Sequence, residues 1–250
     1  MNLASGEREQ ALPGYLMATY SLSHDGKRVV FTSSGNAAGD GVWIADLDRR
    51  TAPRQLTRGN EFRAFYGADD EIIYMDQGEV RHLYRMKEDG SGKEMIVPEA
   101  VYQLISVSPD GRWAFTLMSR PASEGAGTYM QLTSTTGGAA IPVCNDACVL
   151  GFGPLRLQAP PIGWSSDGKS LFVSLQYFGL RTARTVVLPY RSDVPLEQLW
   201  PKGLRMETEI AANPGARTIN ERDVFPTRDP SSYLFWRRTT RSNLYQIPIP

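Results

Sequence analysis

The chain has 250 residues, 41% of them hydrophobic, enough to bury the core of one large domain or two small ones. Its 27 basic residues balance 27 acidic ones, so nothing in the charge advertises nucleic acid or an acidic membrane as a partner. No apolar run approaches the ~20 residues that span a bilayer, and residues 1–10 lack the apolar core of a secretory signal.

Short strands are expected from the start. Residues 16–22 and 28–33 alternate apolar and polar side chains around Ser23-His24-Asp25-Gly26. An Asp-Gly pair between apolar runs is a strong hairpin signal, because Gly takes positive φ without a Cβ clash. A loop at 35–41, a strand at 42–47 and a strand at 54–57 complete a four-strand unit. A second unit reads as strands at 62–66, 71–75, 80–87 and 93–97, with turns at 76–78 and 88–92. The third unit, 101–143, holds the fullest copy of the hairpin, Ser108-Pro109-Asp110-Gly111, and a Gly-rich loop at 121–127. The fourth, from about Val149 to Trp200, has Ser165-Ser166-Asp167-Gly168 and insertions at 151–161, 178–182 and 192–195. The fifth starts at Ile219, turns near Asp229 and ends with its third strand at 243–248. Pro248 and Pro250 suit a strand end, where no ladder donor is needed. Only 195–200 and 205–212 suit short helices.

The hairpin aspartates, Asp25, Asp70, Asp110, Asp167 and Asp229, are 45, 40, 57 and 62 residues apart. Periods of roughly 40–50 residues with several strands each mean a β-propeller rather than a sandwich. The expected fold is therefore an all-β propeller, one domain over 1–250, with about five four-stranded blades. The fifth blade lacks an outer strand. Residues 7–12 share the character of 54–57 and 197–200 and precede the first inner strand by a similar gap. Closing the last blade with this N-terminal strand removes two open edges.

Catalytic motifs are not expected. Asp89-Gly90-Ser91-Gly92-Lys93 lacks the upstream Gly, the following Ser or Thr, and the helix of a phosphate loop. No Gly-x-Ser-x-Gly elbow occurs; His24 lies in a turn and His82 is expected on an exposed strand face. Cys144 and Cys148 offer two ligands where structural zinc takes four, so no metal is expected. They remain open between two reduced thiols and a local disulfide in an oxidising compartment. A glycosidase needs a pair of carboxylates flanking the channel. Glu61, Glu221 and Asp223 are the candidates, each beside Arg63 or Arg222, and ion pairing explains them as well.

The copies at Ser108–Gly111, Ser23–Gly26 and Ser165–Gly168 resemble the TolB-like propeller family, related to the WD-repeat proteins. The copies at Gly67-Ala68-Asp69-Asp70 and Thr227-Arg228-Asp229-Pro230 depart further. Cys144…Cys148, residues 164–173 and the terminal 242–250 together resemble the C-terminal sensor propeller of bacterial serine/threonine protein kinases. That resemblance implies a non-catalytic sensor or scaffold module, free-standing or cut from a kinase. It implies no cofactor and a protein or small-ligand partner. A cytoplasmic location follows if the chain is complete, and an extracytoplasmic one if it ends a receptor kinase. The competing expectation is an enzyme: a five-bladed glycoside hydrolase, or the propeller portion of a prolyl-oligopeptidase-like protein.

Propellers bind around the channel on the face where the chain enters each inner strand. Loops on a rigid scaffold carry function, and Tyr, Trp and Arg are common hot spots. The candidate binding residues are therefore Arg63, Tyr66, Tyr102, Tyr177, Arg181 and Arg238.

Overall fold

The sequence hairpins become the inner half of each sheet. The computed structural model describes residues 12–15, 17–33, 39–48, 50–59, 61–119, 123, 128–138, 140–143, 162–165, 167–174, 184–221, 224–226 and 233–235. Strands β1 (Met17–Leu22), β2 (Arg28–Ser33), β3 (Gly41–Asp46) and β4 (Arg54–Gln55) form one antiparallel sheet in chain order. The second sheet is β5 (Phe62–Tyr66), β6 (Ile72–Met75), β7 (Leu83–Met86) and β8 (Glu94–Val97). The third is β9 (Val101–Val107), β10 (Trp113–Ser119), β11 (Thr128–Ser134) and β12 (Ile141–Val143). The fourth is β13 (Ile162–Trp164), β14 (Ser170–Ser174), β15 (Thr185–Pro189) and β16 (Arg217–Ile219). A two-stranded sheet, β17 (Val224–Pro226) and β18 (Tyr233–Phe235), follows.

The inner strands β1, β5, β9, β13 and β17 neighbour one another in chain order. Four-stranded antiparallel sheets set side by side on their inner strands make a β-propeller. Apolar cores lie between neighbouring blades. Val30, Val42 and Ile44 of the first blade meet Ala64, Ile72 and Tyr74 of the second. Met75, Leu83 and Val97 of the second meet Val101, Leu104 and Met118 of the third. Each such side chain, fully buried, contributes ~1.5–3 kcal/mol.

The Ser-x-Asp-Gly motif has a physical cause. In the first, third and fourth blades the Ser hydroxyl donates to the Asp carboxylate at 2.7, 2.5 and 2.6 Å. The same hydroxyl oxygen accepts the amide of the residue that starts or abuts the second strand, Arg28, Trp113 or Ser170. The Gly closes the turn at positive φ. At Gly111 a second demand applies: a Cβ there would lie 1.7 Å from the Ala68 backbone nitrogen of the neighbouring blade. The third hairpin therefore stacks directly on the second.

The structure corrects several boundaries. The third strand of the second blade begins at Leu83 rather than Val80, since the Asp76 carboxylate accepts the His82 amide and lengthens the turn. His82 thus precedes the strand, half-buried rather than on an exposed face. Helix α1 (Leu196–Leu199) lies within 195–200, and α2 (Glu207–Ala211) within 205–212, the two stretches whose sequence suits short helices. The fourth blade does not end near Trp200. Leu196, Trp200, Leu204 and Ile210 bury an excursion against Leu132, Val143 and Leu188. The outer strand comes after it, so Ile219 closes the fourth blade instead of starting the fifth. The expected N-terminal closing strand lies outside the described residues but for Leu12. That residue is buried on Val29, Phe31 and Trp43, on the first blade's side away from the second. Cys144, Cys148 and the strand expected at 243–248 also lie outside the described residues.

Candidate functional site

Each inner strand starts at what we call the loop face and ends at the turn face, where the Ser-x-Asp-Gly hairpins lie. The inner strands read Met-Ala-Thr-Tyr-Ser-Leu, Phe-Arg-Ala-Phe-Tyr, Val-Tyr-Gln-Leu-Ile-Ser-Val, Ile-Gly-Trp and Val-Phe-Pro. Arg63 is the one charged residue among them.

Arg63 owes its position to a bulge. Phe62 pairs with Met75 and Phe65 with Ile73, leaving two residues opposite one. An extra residue bends the strand and re-aims a side chain. Arg63 holds φ 52°, unusual for a residue with a Cβ. Its guanidinium donates across the blade boundary to the Leu104 carbonyl at 3.4 Å. Burial lowers its affinity for its proton below the ordinary value, and no neighbouring carboxylate offsets this. The ion pair expected between Glu61 and Arg63 does not form among the described residues. Glu61 Oε2 is instead buried without a hydrogen-bond partner.

Next to Arg63 the second and third blades build an aromatic and cationic patch. Arg81, in the loop before β7, donates to the Tyr102 carbonyl at 3.0 Å. Its guanidinium carbon lies 5.6 Å from the ring centroids of both Phe62 and Tyr102. That is cation–π range. Tyr102 is 48% exposed and Val80 54%, so the patch opens to solvent. Strand β5 supplies Phe62 and Arg63, and β9 supplies Tyr102 and the Leu104 carbonyl.

Arg63 and Tyr102 are thus brought together. Tyr66 is not with them. It sits at the far end of β5, 7% exposed, and its hydroxyl donates to Glu88 Oε1 at 2.7 Å. Arg28 of the first blade pairs there with Glu88, and with Asp70 at 2.8 Å. Burial, and then the bond to Glu88, push the Tyr66 hydroxyl well above the usual tyrosine range. Tyr66 therefore clasps the turn face of the first two blades and is no part of the loop face. A parallel clasp joins the third and fourth blades: the Tyr190 hydroxyl donates to Asp110 Oδ2 at 2.5 Å. Tyr177, Arg181 and Arg238 lie outside the described residues.

Sequence reasoning passed over Phe62 and Arg81. Arg81 falls within 80–87, which reads as a strand from local pattern; the signal for a longer loop is the polar run from Asp76 to Glu79. A further polar group lies on the first blade's side of the second sheet. Asp76 follows β6 and accepts the His82 amide at 2.7 Å. His82 Nδ1, like Glu61 Oε2, is buried without a partner. The Tyr74 hydroxyl is pushed up to about 12, first by burial and then by Glu61. Among the described residues no group of three His, Cys, Asp or Glu side chains could hold a metal ion. No helix among them is long and apolar enough to cross a membrane.

No protein-family model matches the sequence, and no curated protein matches it. The fold is similar to that of TolB from Acinetobacter baumannii, with a TM-score of 0.52 and 20% identity over 75% of this chain and 44% of that one. It is also similar to a putative TolB from Agrobacterium tumefaciens, with a TM-score of 0.47 and 14% identity over 68% of this chain and 60% of that one. A third similar structure is a puromycin hydrolase, with a TM-score of 0.48 and 16% identity over 86% of this chain and 30% of that one. The chain spans less than two thirds of the length of each. The first likeness supports the β-propeller fold seen in the sheets; at 20% identity it bears on architecture alone.

Proposed function

We propose that the chain is a non-catalytic β-propeller that binds a protein or ligand on its loop face, where the second and third blades meet. Its wider role, on this reading, is the sensor module of a bacterial signalling kinase. One observation carries the binding reading: Arg63 and Arg81, neither with an acidic partner among the described residues, and the exposed Tyr102 converge on that face. Tyr and Arg on a rigid scaffold are common anchors of recognition. The inner strands, which would carry a glycosidase's paired carboxylates, contain no Asp or Glu among the described residues. Glu61 falls one residue before β5, Glu221 follows the outer strand β16, and Asp223 lies outside the described residues. The kinase connection is supported by the sequence resemblance of the last hundred residues.

A photo-crosslinking amino acid placed at Tyr102 tests the binding reading. Met206, exposed on the helical excursion of the fourth blade, is the control position. In extracts of the source cell, a product specific to Tyr102 is expected. Equal products at both positions, or none at Tyr102, would refute it.

A further inference from the structure

Two guanidinium groups stand on the loop face without an acid. Arg63 is committed to the Leu104 carbonyl and Arg81 to the Tyr102 carbonyl. Neither has a carboxylate partner among the described residues. Arg28, Arg85, Arg184 and Arg191, by contrast, each pair with Asp or Glu. Arg54 and Arg112 also bond to carbonyls, but these residues are exposed, where water carries the charge, whereas Arg63 and Arg81 are half-buried. Arg63 is half-buried and water reaches it poorly, so its missing counter-ion costs more.

A guanidinium offers five N–H donors in a planar fork that matches a carboxylate. Each of these two has one hydrogen bond among the described residues. The acid nearest to Arg63 in sequence does not serve it. Glu61 acts on Tyr74, which packs toward the first blade, while Arg63 reaches the third. The setting also limits the shape of a ligand. Small molecules sit in concave pockets that bury most of their surface. Here Tyr102 and Val80 are about half exposed, which suits an extended segment lying across the face.

We propose that Arg63 and Arg81 bind carboxylates of an acidic peptide segment of a partner protein, with Phe62 and Tyr102 packing against its apolar side chains. The inference rests on the loop face being the binding face. Both guanidinium groups are half-buried, Arg63 at the start of β5 and Arg81 in the loop before β7. Arg81 is held in place by the two rings and by the Tyr102 carbonyl, so little order is lost on binding.

The test is fluorescence anisotropy with a labelled peptide of alternating Glu and Phe. Its comparison peptide alternates Gln and Phe, and each is made with a free and an amidated C-terminus. The Glu peptide is expected to bind, the Gln peptide at least roughly tenfold more weakly, and salt to weaken the Glu peptide alone. Arg63→Ala and Arg81→Ala should each lose roughly tenfold, the scale of a charge-assisted hydrogen bond. Glu88→Gln, at the turn face, should bind as wild type. Equal loss of binding on amidation of either peptide would instead assign the carboxylate to a chain terminus, and would overturn the acidic-segment form of the proposal. Arg63→Ala removes a half-buried group from a bulged inner strand and could unfold the chain; Arg81→Ala, in the loop before β7, and the salt dependence of wild type then decide. Equal binding of the Glu and Gln peptides, no binding of the Glu peptide, or wild-type affinity in Arg81→Ala would overturn the proposal. In those cases a partner still crosslinked at Tyr102 keeps the binding reading alive, and its loss ends both.

Discussion

Gly111→Ala and Gly203→Ala separate two costs that most glycine substitutions mix. Both glycines have left-handed φ, 68° and 73°. At Gly203 an added Cβ has nothing within 4 Å, whereas at Gly111 it would lie 1.7 Å from the Ala68 nitrogen and 2.4 Å from the Gly67 carbonyl carbon. Left-handed backbone costs a residue with a Cβ about 1–2 kcal/mol. The lower entropy of the unfolded Ala chain offsets that loss by only ~0.4–1 kcal/mol. Gly203→Ala should therefore lose about 1 kcal/mol. Gly111→Ala carries the same backbone cost and must also part the second and third blades by more than an ångström. The contact it meets is backbone, which has no rotamer to yield. Parting the blades loosens the packing of Met75, Leu83, Leu104 and Met118 between them. Overpacking costs about 1–3 kcal/mol more, for a total of about 2–4 kcal/mol. Urea denaturation of both variants, with the m-value checked, measures the difference. Two variants of equal stability would refute the stacked-hairpin account. The same displacement moves Arg63 relative to Leu104, so Gly111→Ala should also weaken any ligand of the loop face.

Removing residues 1–13 takes away Leu12, which is 5% exposed on Phe31 and Trp43; the melting temperature should fall by the loss of ~1.5–3 kcal/mol or more, and an unchanged value would sink the closing role of this segment. Glu88→Ala should cost about 1–3 kcal/mol by stranding the buried Tyr66 hydroxyl and part of Arg28's charge, seen in thermal unfolding; no change would mean that the clasp contributes nothing. Tyr74 ionises near pH 10 in the unfolded chain and is pushed up to about 12 in the folded one. The folded state therefore binds more protons above pH 10, and stability falls with rising pH from there. Tyr74→Phe should flatten the alkaline limb of stability against pH. In acid the sign reverses. The Ser23 hydroxyl, then the Lys27 amide, hold the Asp25 carboxyl below its ordinary value of 3.8, and Ser165 does the same for Asp167. Their contribution is present above that value and is lost as pH falls through the lowered one. Ser165→Ala should make the acid unfolding limb shallower; an unaltered limb would refute the coupling.

Local chemistry determined the strands, the hairpins and the blade repeat. Ser, Asp and Gly each satisfy a bond or a dihedral within six residues, so Ser108–Gly111 announces its turn whatever surrounds it. Alternation along 28–33 and 113–119 likewise needs only the strand period. Arg63 and Tyr102 were legible as candidates because they fall at the starts of inner strands. What the local pattern could not supply was direction across a blade boundary. Tyr66 looks like Tyr102 in sequence, yet one clasps the turn face and the other opens on the loop face. The difference lies in which end of the strand each occupies and in Glu88, which the next turn of the same blade brings to it. The bulge at Arg63 shifts side-chain parity by one residue, turning the guanidinium from Glu61 toward Leu104. The outer strand of the fourth blade escaped for a similar reason. Residues 217–219 are a strand because β15 offers an unpaired edge after a buried helical excursion, and three residues carry too little pattern to say so. Blade register, the clasp and the pairing of charges depend on contacts between residues tens of positions apart. Only tertiary packing sets those.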